Sequence, residues 1–140
     1  MTEAAALTAA VAVEHQVIYG YGVAGAHLSG ADRKLALATL NVHLARRDQL
    51  TALVTAAGGT PPPGAPAYAL PFPVSSPATA RALCALLEDG SAGGAWDLTA
   101  AAPARTPART LGVGWLADAA SRAAGWRGPA AAPIALPGKP

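Results

Sequence analysis

The stretch TPPPGAPAYALPFPVSS, residues 60–76, decides how this chain folds. Its prolines exclude a helix or a central strand, because proline lacks the backbone N–H that both structures use. Between them, large apolar side chains occupy every second position, at Tyr68, Leu70, Phe72 and Val74. A free linker has no need of such side chains. The sequence therefore predicts an extended, polyproline-like strap that lies along the rest of the protein.

Two helical segments precede this strap and two follow it. Apolar spacing and turn signals predict helices over about 3–28, 32–57 and 77–101, and a fourth from 107. The expected N-caps are Asp32, Ser76 and Thr106, and the last two are followed by proline at the first helical position. Glycines at 90, 93 and 94 are expected to loosen or bend the third helix.

The inner faces of the helices follow from their apolar residues. On the first helix the predicted face is Leu7, Ala10, Val11, Glu14, Val17, Ile18 and Tyr21. On the second it is Leu37, Leu40, Leu44, Leu50 and Val54, and on the third Leu83, Leu86, Leu87 and Leu98. On the fourth it is Leu111, Trp115, Ala119, Arg122 and Trp126.

The length of the strap predicts the topology. A helix of about 25 residues is roughly 37 Å long, and a strap of about 17 residues reaches up to about 55 Å. The strap can therefore cross the whole length of the bundle, whereas the other two connections are short. An all-α, ferritin-like four-helix bundle has this pattern, with its long crossover between helices two and three. We expect the bundle over residues 1–127 and a Pro/Ala-rich C-terminal tail over 128–140.

Composition limits the classes of partner. Apolar residues make up 52% of the chain and charged residues only 13%, which leaves apolar surface and predicts a homodimer. The net charge of +2 is scattered, so we expect no nucleic-acid partner. No secretory signal or membrane-spanning run is visible, which predicts a cytoplasmic protein with no membrane partner. Cys84 is the single cysteine and is expected in the core.

Several motifs resemble those of the actinobacterial ferritin-like domains of unknown function. They are EHQVIYGYG at 14–22, RRD at 46–48, PAYALPFPV at 66–74, and LED at 87–89 followed by Trp96. The resemblance spans nearly the whole chain short of the tail. It implies the ferritin-like fold, and it implies no established activity or substrate.

Di-iron bundles of this kind combine single glutamates with two Glu-x-x-His motifs. No Glu-x-x-His is present, because Ala12, Ala24 and Leu40 stand three residues before the three histidines. A reduced constellation remains, and its members are Glu14, His43, Glu88 and Asp118. It can hold one iron or manganese ion, or it can form an internal polar network, or part of it can face solvent.

The network alternative pairs each buried carboxylate with an arginine. Glu14 would pair with Arg47, and Glu88 and Asp118 would pair with Arg122, while Tyr21 would form a hydrogen bond inside the bundle. In this alternative the residues fix the helix register and bind no metal.

Three functions remain open, and none of them assigns a catalytic residue. The first is a non-catalytic protein that acts through self-association or partner binding, with no cofactor. The second is an iron- or manganese-binding protein or oxidoreductase with a reduced site. The third is a small-molecule-binding bundle with a pocket lined by Tyr21, His43 and Trp115.

Overall fold

Within residues 1–129, which the structure describes, the chain is an all-α bundle of four helices with no strand. The structure is a computed structural model. The helices are α1 (Glu3–Gly25), α2 (Gly30–Ala56), α3 (Pro77–Ala101) and α4 (Pro107–Arg127). Close backbone packing joins α1 to α2 and to α3, and α3 to α4. The all-helical prediction is confirmed, and most of the predicted tail lies outside the described residues.

The starts of α3 and α4 confirm the predicted caps. The Ser76 hydroxyl accepts a hydrogen bond from the Thr79 N–H, and the Thr79 side chain reaches back to the Ser76 backbone. At α4 the Thr106 hydroxyl accepts from the Arg109 N–H. Each cap satisfies a backbone donor that the first helical turn leaves without a partner.

The predicted start of α2 is wrong. Its N-cap is Ser29, and the helix already begins at Gly30. The φ angle of Gly30 is 55°, a value that glycine adopts without strain. Asp32 therefore lies in the first turn, where its carboxylate accepts a 2.6 Å hydrogen bond from Arg81 on α3. The first helix also ends earlier than predicted, at Gly25. Leu28, beyond this end, is still buried.

The strap, residues 60–76, contains no regular helix or strand, as predicted. The four large side chains at alternate positions are partly buried, and the residues between them are exposed (the partly buried set is Tyr68, Leu70, Phe72 and Val74). This alternation shows that the strap turns one edge towards the helices.

Contacts with α1 show the path of the strap. The backbone carbonyl of Pro62 lies 3.0 Å from Nε2 of His15. Further along, the Tyr68 ring packs against Tyr19 with 5.7 Å between the ring centroids. Its last apolar residues then pack against the core near Tyr21. The strap thus follows α1 from its middle towards its C-terminal end.

The core consists of two apolar clusters, with buried polar side chains near the middle of the helices. One cluster joins the start of α1 to the end of α2 and α3 and the start of α4, and includes Leu7, Val11, Leu50, Leu98 and Trp115. The other joins the opposite ends of the same helices, and includes Val17, Tyr21, Leu83 and Trp126. The fully buried polar residues are Glu14, His43, Glu88 and Ser91.

The predicted inner face of α2 is wrong at Leu37 and confirmed at Leu40, which packs against the core cluster of Tyr21. Leu37 is 48% exposed, and the buried residues that precede the confirmed Leu50 and Val54 are Ala36, Thr39, His43 and Arg46. Neighbouring residues on a helix are about 100° apart, so turning His43 inwards moves Leu37 outwards. Leu86 on α3 is likewise 44% exposed, which contradicts its predicted place in the core.

The glycines of α3 do not interrupt it, because the helix runs from Pro77 to Ala101 without a break. Gly94 lies against the Trp115 ring, where an added Cβ would be 3.3 Å from the nearest ring atom. On α4, a Cβ at Gly112 would lie 2.5 Å from the Thr99 hydroxyl oxygen. Small residues therefore allow the close approach of α3 and α4. None of the helices in residues 1–129 has the length and apolar character that crossing a bilayer requires.

Candidate functional site

His43 lies between two carboxyl groups at the centre of the bundle. Its Nδ1 is 2.7 Å from Oε2 of Glu14 on α1, and its Nε2 is 3.0 Å from Oε1 of Glu88 on α3. All three residues have no solvent exposure. The structure therefore brings together three of the residues that the sequence singled out, from three different helices.

Both ring nitrogens of His43 face an acceptor, which favours the protonated imidazole, because only that form donates from both nitrogens. Burial alone would lower the pKa of His43, but the hydrogen bonds to Glu14 and then Glu88 raise it above 6.5. A protonated His43 neutralises part of the negative charge of the two carboxylates. The buried cluster is thus held together by charge-assisted hydrogen bonds.

Hydrogen bonds extend from each carboxylate to an indole of α4. The Tyr21 hydroxyl donates to Oε1 of Glu88 at 2.5 Å, and the Trp126 N–H donates to that hydroxyl at 3.0 Å. On the other side, the Ser91 hydroxyl donates to Oε1 of Glu14 at 3.1 Å. The Trp115 N–H donates to the Ser91 hydroxyl at 2.6 Å. One connected network therefore reaches all four helices; we call it the His43 network.

Two further groups near Glu88 keep their protons. Burial first, and then the charge of Glu88, raise the pKa of Tyr21 far above its usual range. The same two causes raise the pKa of Cys84 to about 12. Tyr21 is therefore a hydrogen-bond donor, and Cys84 is a buried thiol with little thiolate character.

Arg47 and Asp118 lie in other places than the sequence suggested. Arg47 lies at the surface and donates to its neighbour Asp48, with no contact to Glu14. Asp118, whose side chain is 58% exposed, lies 3.7 Å from Nη2 of Arg46. Arg46 is the buried arginine of the RRD motif, and its guanidinium lies 5.1 Å from the centroid of the Trp115 ring.

Sequence reasoning missed Arg46, although a signal was available. Arg46 follows His43 by three residues and Thr39 by seven, so it shares their helix face. The leucine pattern shifted the predicted inner face of α2 by about one residue, which made Arg47, and not Arg46, the expected partner of Glu14.

The donor set does not fit the iron or manganese centre that ferritin-like bundles often hold. Each His43 nitrogen is already bonded to a carboxylate, and the two nitrogens point in different directions. Helix α4 contributes indoles at this level, and its Asp118 faces outwards. No three His, Cys, Asp or Glu side chains in residues 1–129 are grouped to hold a metal ion. One carboxylate oxygen, Oε2 of Glu88, has no hydrogen-bond partner in that part of the chain.

The third function that the sequence leaves open requires a pocket lined by Tyr21, His43 and Trp115. In the structure these side chains are at most 1% exposed and are linked by hydrogen bonds through Glu88, Glu14 and Ser91. A groove of about 360 Å³ lies between the strap and the helices α1 and α3. Its lining includes Tyr19, Tyr68, Leu70 and Leu86.

Comparison with known proteins gives a family and a fold. Residues 6–140 match the model of a family described as a domain of unknown function (DUF4439). The chain is also similar to a crystal structure of a conserved hypothetical protein, rv2844, from Mycobacterium tuberculosis. The TM-score is 0.83 and the sequence identity 34%, over 89% of this chain and 94% of that chain. No curated protein matches the chain.

Proposed function

This chain belongs to the DUF4439 domain family, and we propose that it is a non-catalytic, ferritin-like bundle that acts by associating with a second copy of itself. The connections support the ferritin-like assignment. Residues 26–29 and 102–106 join neighbouring helices by short turns, whereas residues 57–76 form one long crossover. A four-helix bundle with a single long crossover between its second and third helices is the ferritin-like arrangement.

The His43 network supports a non-catalytic interior. A metal centre of the ferritin-like kind needs carboxylate and imidazole groups that converge on a point with their donor atoms available. Here His43 uses both nitrogens as links between Glu14 and Glu88. The same residues therefore fix the register of three helices and leave no imidazole nitrogen for a metal.

Metal loading tests this part of the proposal. After incubation with Fe(II) or Mn(II) and desalting, we expect elemental analysis to find well below one metal equivalent per chain. The Glu88→Gln variant, which keeps the size of the side chain, should retain the same small amount. A wild-type protein that keeps close to one equivalent, with loss of that metal in Glu88→Gln, would contradict a non-catalytic interior.

A leucine stripe on α2 is the observation that carries the association. Leu37, Leu40 and Leu44 are three and four residues apart and therefore share one helix face. On that face Leu37 is 48% exposed and Leu44 is partly buried, whereas Leu40, also partly buried, packs against the core cluster of Tyr21. An apolar stripe with this spacing is suited to pack against the same stripe of a second copy in a twofold dimer.

Replacing Leu37 with lysine should weaken the dimer. We expect the dissociation constant to rise by about tenfold or more, because a twofold interface contains the substitution twice. Size-exclusion chromatography with light scattering, over a series of concentrations, measures the change. The control is Val113→Lys, since Val113 is 54% exposed on α4. A wild-type protein of single-chain mass at high micromolar concentration, or equal effects of both variants, would refute the interface.

A further inference from the structure

Arg46 is a buried cation whose hydrogen-bonding capacity is mostly unused. The residue is only 7% exposed, yet its Nε and Nη1 atoms have no hydrogen-bond partner within residues 1–129. Its remaining terminal nitrogen, Nη2, lies 3.7 Å from Asp118, which is longer than a hydrogen bond. A buried guanidinium normally satisfies its donors, because a charged donor that is removed from water and has no acceptor is unfavourable.

A second arginine from another helix carries a similar donor. Arg122 on α4 is partly buried, and its Nη1 atom is buried without a partner in the described part of the chain. Arg122 follows Asp118 by four residues on the same face of α4, and Asp118 lies 3.7 Å from Nη2 of Arg46. Neighbouring like charges repel each other, and an anion between or beside them offsets that repulsion.

The charges around Arg46 come from three other helices. Burial first lowers the pKa of Arg46, the charge of Glu14 on α1 raises it, and Arg122 on α4 lowers it again. The charges of Asp118 on α4 and Glu88 on α3 also raise the pKa of Arg46. Glu14 and Glu88 are already engaged by His43, so Asp118 is the only one of these carboxylates in contact with Arg46.

Arg46 lies where α2 meets α4, and Arg122 lies one helical turn beyond its contact Asp118. At this seam, side chains make the contact: Arg46 reaches across to Asp118 and to the face of Trp115. Asp118 holds Arg46 only at long range, and its side chain is 58% exposed. It can therefore turn into solvent and make room for another acceptor.

We propose that the α2–α4 seam binds an oxyanion, the phosphate or carboxylate group of a small molecule, through the guanidinium groups of Arg46 and Arg122. The planar fork of arginine matches two oxygens of such a group, and the Trp115 ring holds the Arg46 fork in place. The bound oxyanion takes the position that Asp118 occupies weakly. This site shares Trp115 with the His43 network and does not depend on self-association.

Calorimetric titration with inorganic phosphate, at low ionic strength, tests the site. We expect saturable binding that sodium chloride at equal ionic strength does not reproduce. Arg46→Gln should weaken it by about tenfold or more, because the strongest paired donors are lost. Asp118→Asn should tighten it by about three- to tenfold, because a competing negative charge is removed. Arg33→Gln, which alters an exposed arginine on α2, is the control and should bind as the wild type does.

A second titration with acetate distinguishes the two sources of the oxyanion. Tighter binding of phosphate assigns a phosphate group, and tighter binding of acetate assigns a carboxylate. Circular dichroism checks the fold of each variant. If Arg46→Gln does not fold, Arg122→Gln, at a less buried position, replaces it in the titration. Phosphate and acetate that both give no more heat than chloride would overturn the proposal. Unchanged binding in the folded arginine variants would overturn it as well.

Discussion

Replacing His43 with alanine should lower the free energy of unfolding by about 3–5 kcal/mol, because two buried carboxylates lose their shared cation. Glu14 and Glu88 have no solvent exposure, and their contacts to His43 are 2.7 and 3.0 Å long. Tyr21 and Ser91 still donate to them, but neither carries a compensating charge. Urea denaturation followed by circular dichroism measures the loss.

The stability of the wild-type protein should also depend on pH through His43. Its pKa is raised above 6.5 in the folded protein, so the folded state binds the proton more tightly than the unfolded chain. This contribution is fully present below pH 6.5 and is lost as the pH rises through the folded pKa. The melting temperature should therefore fall over that range, and the His43→Ala variant should lack this part of the slope.

His15→Ala is the matched control for both measurements. His15 lies on α1, where its Nε2 is 3.0 Å from the carbonyl of Pro62 and its ring lies beside Gly64 of the partly exposed strap. Its replacement should lower the free energy of unfolding by about 1 kcal/mol, the contribution of an ordinary hydrogen bond. Equal losses for the two variants, or an unchanged pH slope in His43→Ala, would show that His43 is not the charged centre of the network.

Replacing Trp115 with alanine should also lower the free energy of unfolding by about 3–5 kcal/mol, because the substitution opens a large cavity in the core. The Trp115 ring is 1% exposed and fills the space beside Gly94 on α3. Its N–H donates to Ser91, and its face carries the guanidinium of Arg46. The substitution therefore removes apolar packing, one buried hydrogen bond and one cation–π contact together.

Trp115→Phe separates these contributions. Phenylalanine keeps an aromatic face for Arg46 and much of the volume, but it cannot donate to Ser91. We expect a loss of about 1–2 kcal/mol, which combines a missing hydrogen bond with a smaller cavity. Denaturation curves for the two variants, under the same conditions, provide the comparison. A loss in Trp115→Phe as large as in Trp115→Ala would make the hydrogen bond, and not the packing, the main contribution.

The helical bundle and its long connection were predictable from local signals. Prolines exclude regular structure in the strap, and the Ser76 and Thr106 caps begin α3 and α4 because their hydroxyls satisfy free backbone donors. Glu14 and His43 were identifiable because a charged or polar residue on an apolar helix face needs a buried partner. Such signals are local, because they depend only on residues that lie close together in the sequence.

The rotation of α2 about its own axis, which decides which face of the helix is buried, was not predictable from local signals. Two faces of this helix carry apolar residues: Leu37, Leu40 and Leu44 form one, and the face of His43 and Leu50 forms the other. Counting leucines selects the first face, whereas the structure buries the second face fully and the first only in part. The choice decides that Arg46 is buried and that Arg47 is at the surface.

By itself, the sequence determined four helices, their approximate limits and a connecting strap that cannot itself be helical. These features follow from backbone sterics and from the spacing of apolar residues along the chain. Only the tertiary structure decided that His43 links Glu14 to Glu88 and that Arg46 enters the seam with α4. The physical reason is that the free energy of burying a charge depends on partners from other helices, and no local pattern contains those distances.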